Sequence, residues 1–122
     1  MLRCGVDIIE IERVARAYRR RPVHFMRRFF TEQEQAQLAV RNHTGKHLAA
    51  RFAGKEAVFK LLGLGLGALA WTDVEIISLP GGQPSVILHN KARSRAEELG
   101  IGEISISLSH SRDYAVAQVV GQ

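Results

Sequence analysis

Two spacings of apolar residues divide the chain. From about residue 10 to residue 62 they recur at the helical period, and from about residue 72 they recur at every second position. An opening strand precedes both: over residues 2–10, Cys4, Val6 and Ile8 alternate with Gly5, Asp7 and Ile9. Cys4 reads there as a small core residue. Ile11, Val14, Ala15, Ala17 and Tyr18 then predict a helix from Glu10 to Arg20, with Arg13, Arg16 and Arg20 on its other side and Pro22 ending it. Phe25, Met26, Phe29 and Phe30 form a core or interface cluster. Thr31 with Glu34 has the form of a capping box and predicts a helix from Glu32 to about Arg41. After a turn at residues 42–45, a longer helix begins near Lys46 and ends at Gly63, Gly65 and Gly67.

In the second half, residues 72–79 and 84–89 flank Pro80-Gly81-Gly82-Gln83 and predict a β-hairpin. Residues 91–99 predict a helix closed by Gly100, and residues 103–109 and 114–120 predict two strands joined by the turn His110-Ser111-Arg112-Asp113. Helices early and strands late, with no repeat and no linker, give one α+β domain over residues 1–122, its N-terminal helices packed on a mostly antiparallel sheet.

The long helix contains an anomaly. Read as an amphipathic helix, it places Glu56 and Lys60 on the same arc as Ala49, Phe52, Ala53 and Phe59, so two charges stand where an apolar stripe should continue. A buried carboxylate neutralises, pairs or binds a metal. Glu56 and Lys60 therefore form either an i,i+4 ion pair or a metal carboxylate beside a phosphate-binding lysine. Asp7 poses the same choice, between capping the helix that follows it and ligating a cation.

Composition narrows the partners. The chain has 122 residues, 46% of them apolar, which suffices for one core of modest stability. The formal charge of +5 is uneven: residues 1–60 carry 13 Lys/Arg against 6 Asp/Glu, and residues 61–122 carry 4 against 6. A basic N-terminal half suits an anionic partner. No apolar run approaches the ~20 residues of a membrane span, and acids in the N-terminal segment exclude a secretory signal, so a soluble protein is expected. The single Cys4 excludes an intramolecular disulfide and fits a reducing cytoplasm.

Other chemistries lack their residues. His43 and His47 have no third ligand nearby for zinc, and no G-x-S-x-G nucleophile elbow is present. A nucleic-acid-binding module would account for the arginines but would leave Asp7 and Glu56 unexplained. Two carboxylates suit Mg²⁺, which takes one or two of them and completes its shell with water and substrate phosphates. A loop spaced like Gly63-x-Gly65 can cradle phosphate through its amides. His110 continues the apolar parity of its strand and should emerge at the rim of the core.

Four segments together resemble one family: Gly5 to Arg13 (GVDIIEIER), Phe52 to Lys60 (FAGKEAVFK), Trp71 to Ile76 (WTDVEI) and Ser107 to Ser111 (SLSHS). In that order they look like the holo-acyl-carrier-protein synthases, the short class of phosphopantetheinyl transferases. The resemblance implies a phosphopantetheinyl transferase-like fold and Mg²⁺-dependent transfer of phosphopantetheine from coenzyme A to a serine of an apo acyl carrier protein, in fatty-acid or polyketide assembly. Adenosine 3′,5′-bisphosphate would be released. It also implies a cytoplasmic homotrimer with active sites at subunit interfaces, and no nucleic-acid or membrane partner. Residue by residue, it makes Asp7 and Glu56 the magnesium ligands, and Glu56, Lys60 and His110 the catalytic set. Lys60, Gly63, Gly65 and His110 would contact coenzyme A, and Arg13, Arg16 and Arg20 would receive the acidic carrier. The base that takes the serine proton is open between a water on the metal, Glu56 and another carboxylate. The family often has glycine where this chain has Arg3.

Overall fold

The computed structural model describes residues 1–41, 45–65 and 67–122. Strand β1 (Arg3–Glu10) leads into α1 (Ile11–Arg20), α2 (Pro22–Phe29), α3 (Glu32–Val40) and the long α4 (Gly45–Leu62). A 3₁₀ turn at Trp71–Asp73 introduces the hairpin β2 (Val74–Ser78) and β3 (Pro84–Leu88), then α5 (Asn90–Glu98), β4 (Ile104–His110) and β5 (Tyr114–Gly121). The strands form a three-stranded antiparallel sheet in the order β1-β5-β4 and a separate two-stranded sheet β2-β3. The α+β expectation stands. The turn expected at 42–45 falls largely on residues 42–44, outside the described residues, as does His43 of the rejected zinc pair.

α4 is the axis of the molecule, and it is not amphipathic. From Leu48 to Leu62 every residue is buried except Phe52, Glu56 and Lys60, which follow one another at four-residue intervals along a single line. On the arc read as a continuing apolar stripe, Ala49, Ala53 and Phe59 are buried as expected, and Phe52, Glu56 and Lys60 mark its edge, the line along which this part of the helix reaches the surface. On its other sides α4 packs against β1, β5, β4, β2 and α1. One core cluster joins Ala53, Ala57, Val58, Leu61 and Leu62 to Val74, Ile76, Ala117 and Val119. The other joins Leu48, Ala49 and Ala50 to Val14, Phe25, Phe30 and Leu38. Small residues allow this closeness. A Cβ on Gly5 would stand 2.1 Å from the carbonyl oxygen of Ala57, so only glycine lets β1 lie against the helix backbone.

The parity of β1 is the reverse of the expected one. Gly5 is buried and Asp7 and Ile9 are partly buried, while Cys4 is exposed, Val6 is 56% exposed and Ile8 65%. Alternation states that two faces exist; the close seat at Gly5 decides which is inside. Pro22 does not simply end the arginine helix. After Arg21 it takes the first position of α2, where its missing N–H costs nothing, and α2 carries Phe25 and Met26 into the core. His110 ends β4 rather than lying in the following turn.

The capping box forms as expected: the Thr31 hydroxyl accepts from the Glu34 amide at 3.2 Å, and the Glu34 carboxylate accepts from the Thr31 amide at 2.9 Å. Glu34 does more. Its Oε1 lies 2.7 Å from the ammonium of Lys55, both side chains being fully buried, and its Oε2 accepts from the Ile76 amide at 2.9 Å. Lys55 also donates to the carbonyls of Trp71, at 3.1 Å, and Val74. The ammonium has spent its three protons on α3 and on the lead-in to β2, so α4 is tied to both. Burial lowers the Lys55 pKa and the carboxylate of Glu34 opposes that shift.

Removing one partner would strand a buried charge. Lys55→Met should destabilise the fold by about 3–5 kcal/mol, and Lys55→Met with Glu34→Leu should recover part of the loss, the remainder reflecting the amides of Thr31 and Ile76 that Glu34 also serves. Urea unfolding of both variants checks this, and a single variant as stable as the parent would show that the pair contributes nothing.

Candidate active site

Three predicted residues meet where β1 crosses α4. Asp7 faces inward from β1, its side chain 11% exposed, and Lys60 donates to its Oδ1 at 3.1 Å and to the Val6 carbonyl at 2.9 Å. Lys60 therefore pairs with Asp7, and the i,i+4 pair with Glu56 is not formed among the described residues. The other oxygen, Asp7 Oδ2, is buried with no hydrogen-bond partner among the described residues. Glu56 lies half-buried one turn before Lys60. Its pKa is raised, first by burial, then by the negative charge of Asp7 and by a hydrogen bond that the protonated carboxyl can give to Asp7, against the opposing charges of Lys60 and Arg13; with Glu56 ionised, Asp7 Oδ2 has no such donor.

The arrangement is short of positive charge. An orphaned buried carboxylate oxygen beside a carboxyl pushed toward its neutral form can be relieved by a proton or by a hard cation with oxygen ligands. No third His, Cys, Asp or Glu joins the pair among the described residues, so any such cation would draw its other ligands from water or from a phosphate-bearing molecule.

Glu56 stands between two cavities. One, of about 310 Å³, is lined by Glu56, Phe59, Lys60, Gly63, Leu64 and Gly65, which places both predicted loop glycines beside Lys60. The other, of about 320 Å³, is walled by Phe25, Phe29, Phe52 and Trp71, and has Arg13 and Glu56 as its charged residues. Arg16 and Arg20 are exposed on the same helix as Arg13.

His110 is not part of this group within one chain. It lines a separate cavity of about 200 Å³ with Arg41, His47, Arg51, Ser78 and Ser109. Arg51 and Lys60 stand nine residues apart on α4, about 13.5 Å along its axis. This second cluster is strongly cationic. The pKa of His47 is lowered by burial and then by Arg41, Lys46, Arg51 and His110, and that of Arg51 by burial and then by Arg41. Arg51 donates to Ser78 Oγ at 2.6 Å. The sequence presents His47 only as half of a rejected zinc pair and gives no mark to Arg41 or Arg51; the available signal is the four-residue step from His47 to Arg51, one turn of the same helix that carries Glu56.

Comparison with known proteins places these residues in context. The family model of the 4′-phosphopantetheinyl transferase superfamily matches residues 3–119. The chain is 54% identical over 117 residues to the holo-[acyl-carrier-protein] synthase of Moorella thermoacetica, covering 96% of this chain and 91% of that protein. It is 49% identical over 122 residues to that of Dehalococcoides mccartyi, covering 100% and 99%. Among solved structures, the Helicobacter pylori synthase in complex with coenzyme A superposes with a TM-score of 0.85 at 29% identity, covering 98% of this chain and 99% of that one. The Neisseria meningitidis synthase gives 0.86 at 31% identity, covering 98% and 97%.

The raised pKa of Glu56 has a sign that can be checked. Folded Glu56 holds its proton more tightly than the unfolded side chain with its ordinary value of 4.5. Its contribution is therefore most favourable at low pH and is lost as pH rises through the raised value. Without divalent cations, urea midpoints measured from about pH 4 to about pH 7 should contain this fall, and Glu56→Gln should remove it. An unchanged pH profile in the variant would contradict the assignment.

Proposed function

Because the chain belongs to the 4′-phosphopantetheinyl transferase superfamily, we propose that the junction of Asp7, Glu56 and Lys60 is where it carries out its reaction. It transfers the 4′-phosphopantetheine group of coenzyme A to a serine of an apo acyl carrier protein and releases adenosine 3′,5′-bisphosphate. The observation that carries the site assignment is the orphaned Asp7 Oδ2 beside Glu56 and Lys60, at the edge of a glycine-lined cleft. Asp7 and Glu56 would hold Mg²⁺, which fits their oxygen donors and their deficit of positive charge. When bound there, Mg²⁺ would neutralise the diphosphate and stabilise charge on the departing phosphate.

The chain's own residues supply position and field. Lys60 gives a fixed positive charge on the coenzyme side, where Gly63 and Gly65 leave the backbone accessible to phosphate. The carrier arrives from the other side, along the basic face of α1, and its serine reaches Glu56 through the aromatic cavity that Arg13 borders. The serine oxygen forms a bond to the β-phosphorus of coenzyme A as the bond from that phosphorus to the bridging oxygen of the diphosphate breaks. The hydroxyl proton leaves to an acceptor at the junction, where Glu56 is the carboxyl that burial and Asp7 bias toward proton binding.

A homotrimer with active sites at subunit interfaces accounts for two further observations. Leu2, Cys4, Val6 and Ile8 form an exposed, largely apolar strip that a neighbouring subunit would cover. The cationic cavity of Arg41, His47, Arg51 and His110 shares no lining residue with the Lys60 cleft, and a second copy would bring the two together around one coenzyme A. A cytoplasmic setting suits the exposed, unpaired thiol of Cys4.

The mass of an apo acyl carrier protein incubated with this protein, coenzyme A and Mg²⁺ should rise by one phosphopantetheine, and EDTA should abolish the gain. Glu56→Gln should abolish it too while keeping its melting transition; no gain with several carriers would refute the reading. Charge reversal in Arg13→Glu should raise KM for the carrier on the order of tenfold, most at low salt, and leave KM for coenzyme A unchanged. Equal loss for both substrates would remove Arg13 from the docking face.

A further inference from the structure

α4 brings its C-terminal end to the cleft that Lys60, Gly63 and Gly65 line. That end is electrically wrong for a phosphate, because the last carbonyls of a helix carry about half a negative charge. The structure accounts for all four of them. Gly63, in the left-handed conformation at φ +71°, closes the helix. The Leu64 amide donates to Phe59 O at 3.3 Å and the Gly63 amide to Lys60 O at 3.1 Å, the two bonds of a Schellman turn. The remaining carbonyls accept from arginines on two other elements. Arg3 Nε, from β1, donates to Leu61 O at 2.8 Å, and Arg95 Nε, from α5, donates to Leu62 O at 3.0 Å.

Capping explains only one nitrogen of each side chain. A second nitrogen of each guanidinium approaches the turn: a Cβ on Gly63 would lie 3.3 Å from Arg3 Nη2 and 3.7 Å from Arg95 Nη2. Among the described residues Arg95 has one acidic partner, the exposed Glu98 at 3.3 Å, and Arg3 has no ion-pair partner. Two neutral donors would satisfy two carbonyls. Two like charges held together at one turn, with one counter-charge on the outside, leave an excess of positive field where the helix alone would present a negative one.

We propose that Arg3 and Arg95 form an anion-receptive clamp that reverses the sign of the α4 terminus and draws a phosphate of the substrate into the Lys60–Gly63–Gly65 cleft. They are positioning residues, acting through the helix end and its field on the group that Lys60 meets. This rests on the reading of that cleft as the coenzyme A site. It also gives Arg3, at a position where the family often has glycine, a specific role.

Gln and Lys substitutions separate charge from capping, since both retain a donor and only Lys retains the charge. Isothermal titration of coenzyme A into the full chain should show the double variant Arg3→Gln/Arg95→Gln weakened on the order of tenfold, with a shallower salt dependence. Arg3→Lys/Arg95→Lys should bind within about threefold of the parent, and KM for the carrier should be unchanged in both. Melting curves confirm that each variant is folded, and the single variants serve if a double variant is not. Equal losses in the Gln and Lys variants, or none in either, would overturn the clamp. Charge-dependent binding of coenzyme A by a chain that modifies no carrier would keep the clamp and remove the transferase reading. Normal transfer with a charge-independent KM for coenzyme A would do the reverse, and a parent chain that binds no coenzyme A would remove both.

Discussion

A helix enclosed on nearly every side can offer chemistry only through the positions that reach an edge. From Leu48 to Leu62 of α4 those positions are Phe52, Glu56 and Lys60, aligned one turn apart. Everything that surrounds the helix defines that line. β1 closes one side of it through Gly5, α2 and the 3₁₀ turn wall it with the rings of Phe25, Phe29 and Trp71, and the glycine turn ends it. An aromatic, a carboxylate and an ammonium in sequence then face, respectively, an apolar cavity, the junction with Asp7, and the mouth of the glycine-lined cleft. The order of polarity along the line matches the order of groups a carrier serine and a diphosphate would present if they met at Glu56.

The ion pair of Lys55 and Glu34 keeps that line from rotating. A buried pair of this kind is a poor source of stability, because desolvation offsets most of its attraction, but it admits few alternative arrangements. Lys55 precedes Glu56 in sequence and points about 100° away around the helix. Fixing Lys55 to Glu34 and to the carbonyls before β2 therefore fixes the direction in which Glu56 leaves the helix. The carboxylate of Glu34 belongs at once to a helix cap, to the ion pair and to the amide of Ile76, so three elements share one anchoring group.

What the sequence made legible was whatever its signals encode locally. Thr31 and Glu34 announce a cap within four residues, and the hairpin turn and the glycine after α5 do likewise. Asp7, Glu56 and Lys60 are visible as charges in apolar company; Ala49, Ala53 and Phe59 of that company are core, and what periodicity does not show is that Phe52, Glu56 and Lys60 lie at the edge of the arc where the helix opens. Lys55 was passed over because nothing nearby marks its partner, which lies 21 residues away on another helix. The face of β1 was misassigned because alternation is symmetrical until a tertiary contact breaks the tie. Arg41, His47 and Arg51 gather with His110 only after α3, α4 and β4 have packed, and no spacing in the chain joins all four.

The close seat of Gly5 has a mechanical meaning. β1 rests on α4 at this residue with no room for a single added carbon, and the two inward-facing neighbours on either side are Arg3, fastened to the end of α4, and Asp7, fastened to Lys60. The strand is thus a short beam pivoted on a point of contact, with the helix terminus held at one arm and the carboxylate at the other. A side chain at the pivot would lift both arms together, which makes the smallest residue in the segment the one whose change the site could least absorb.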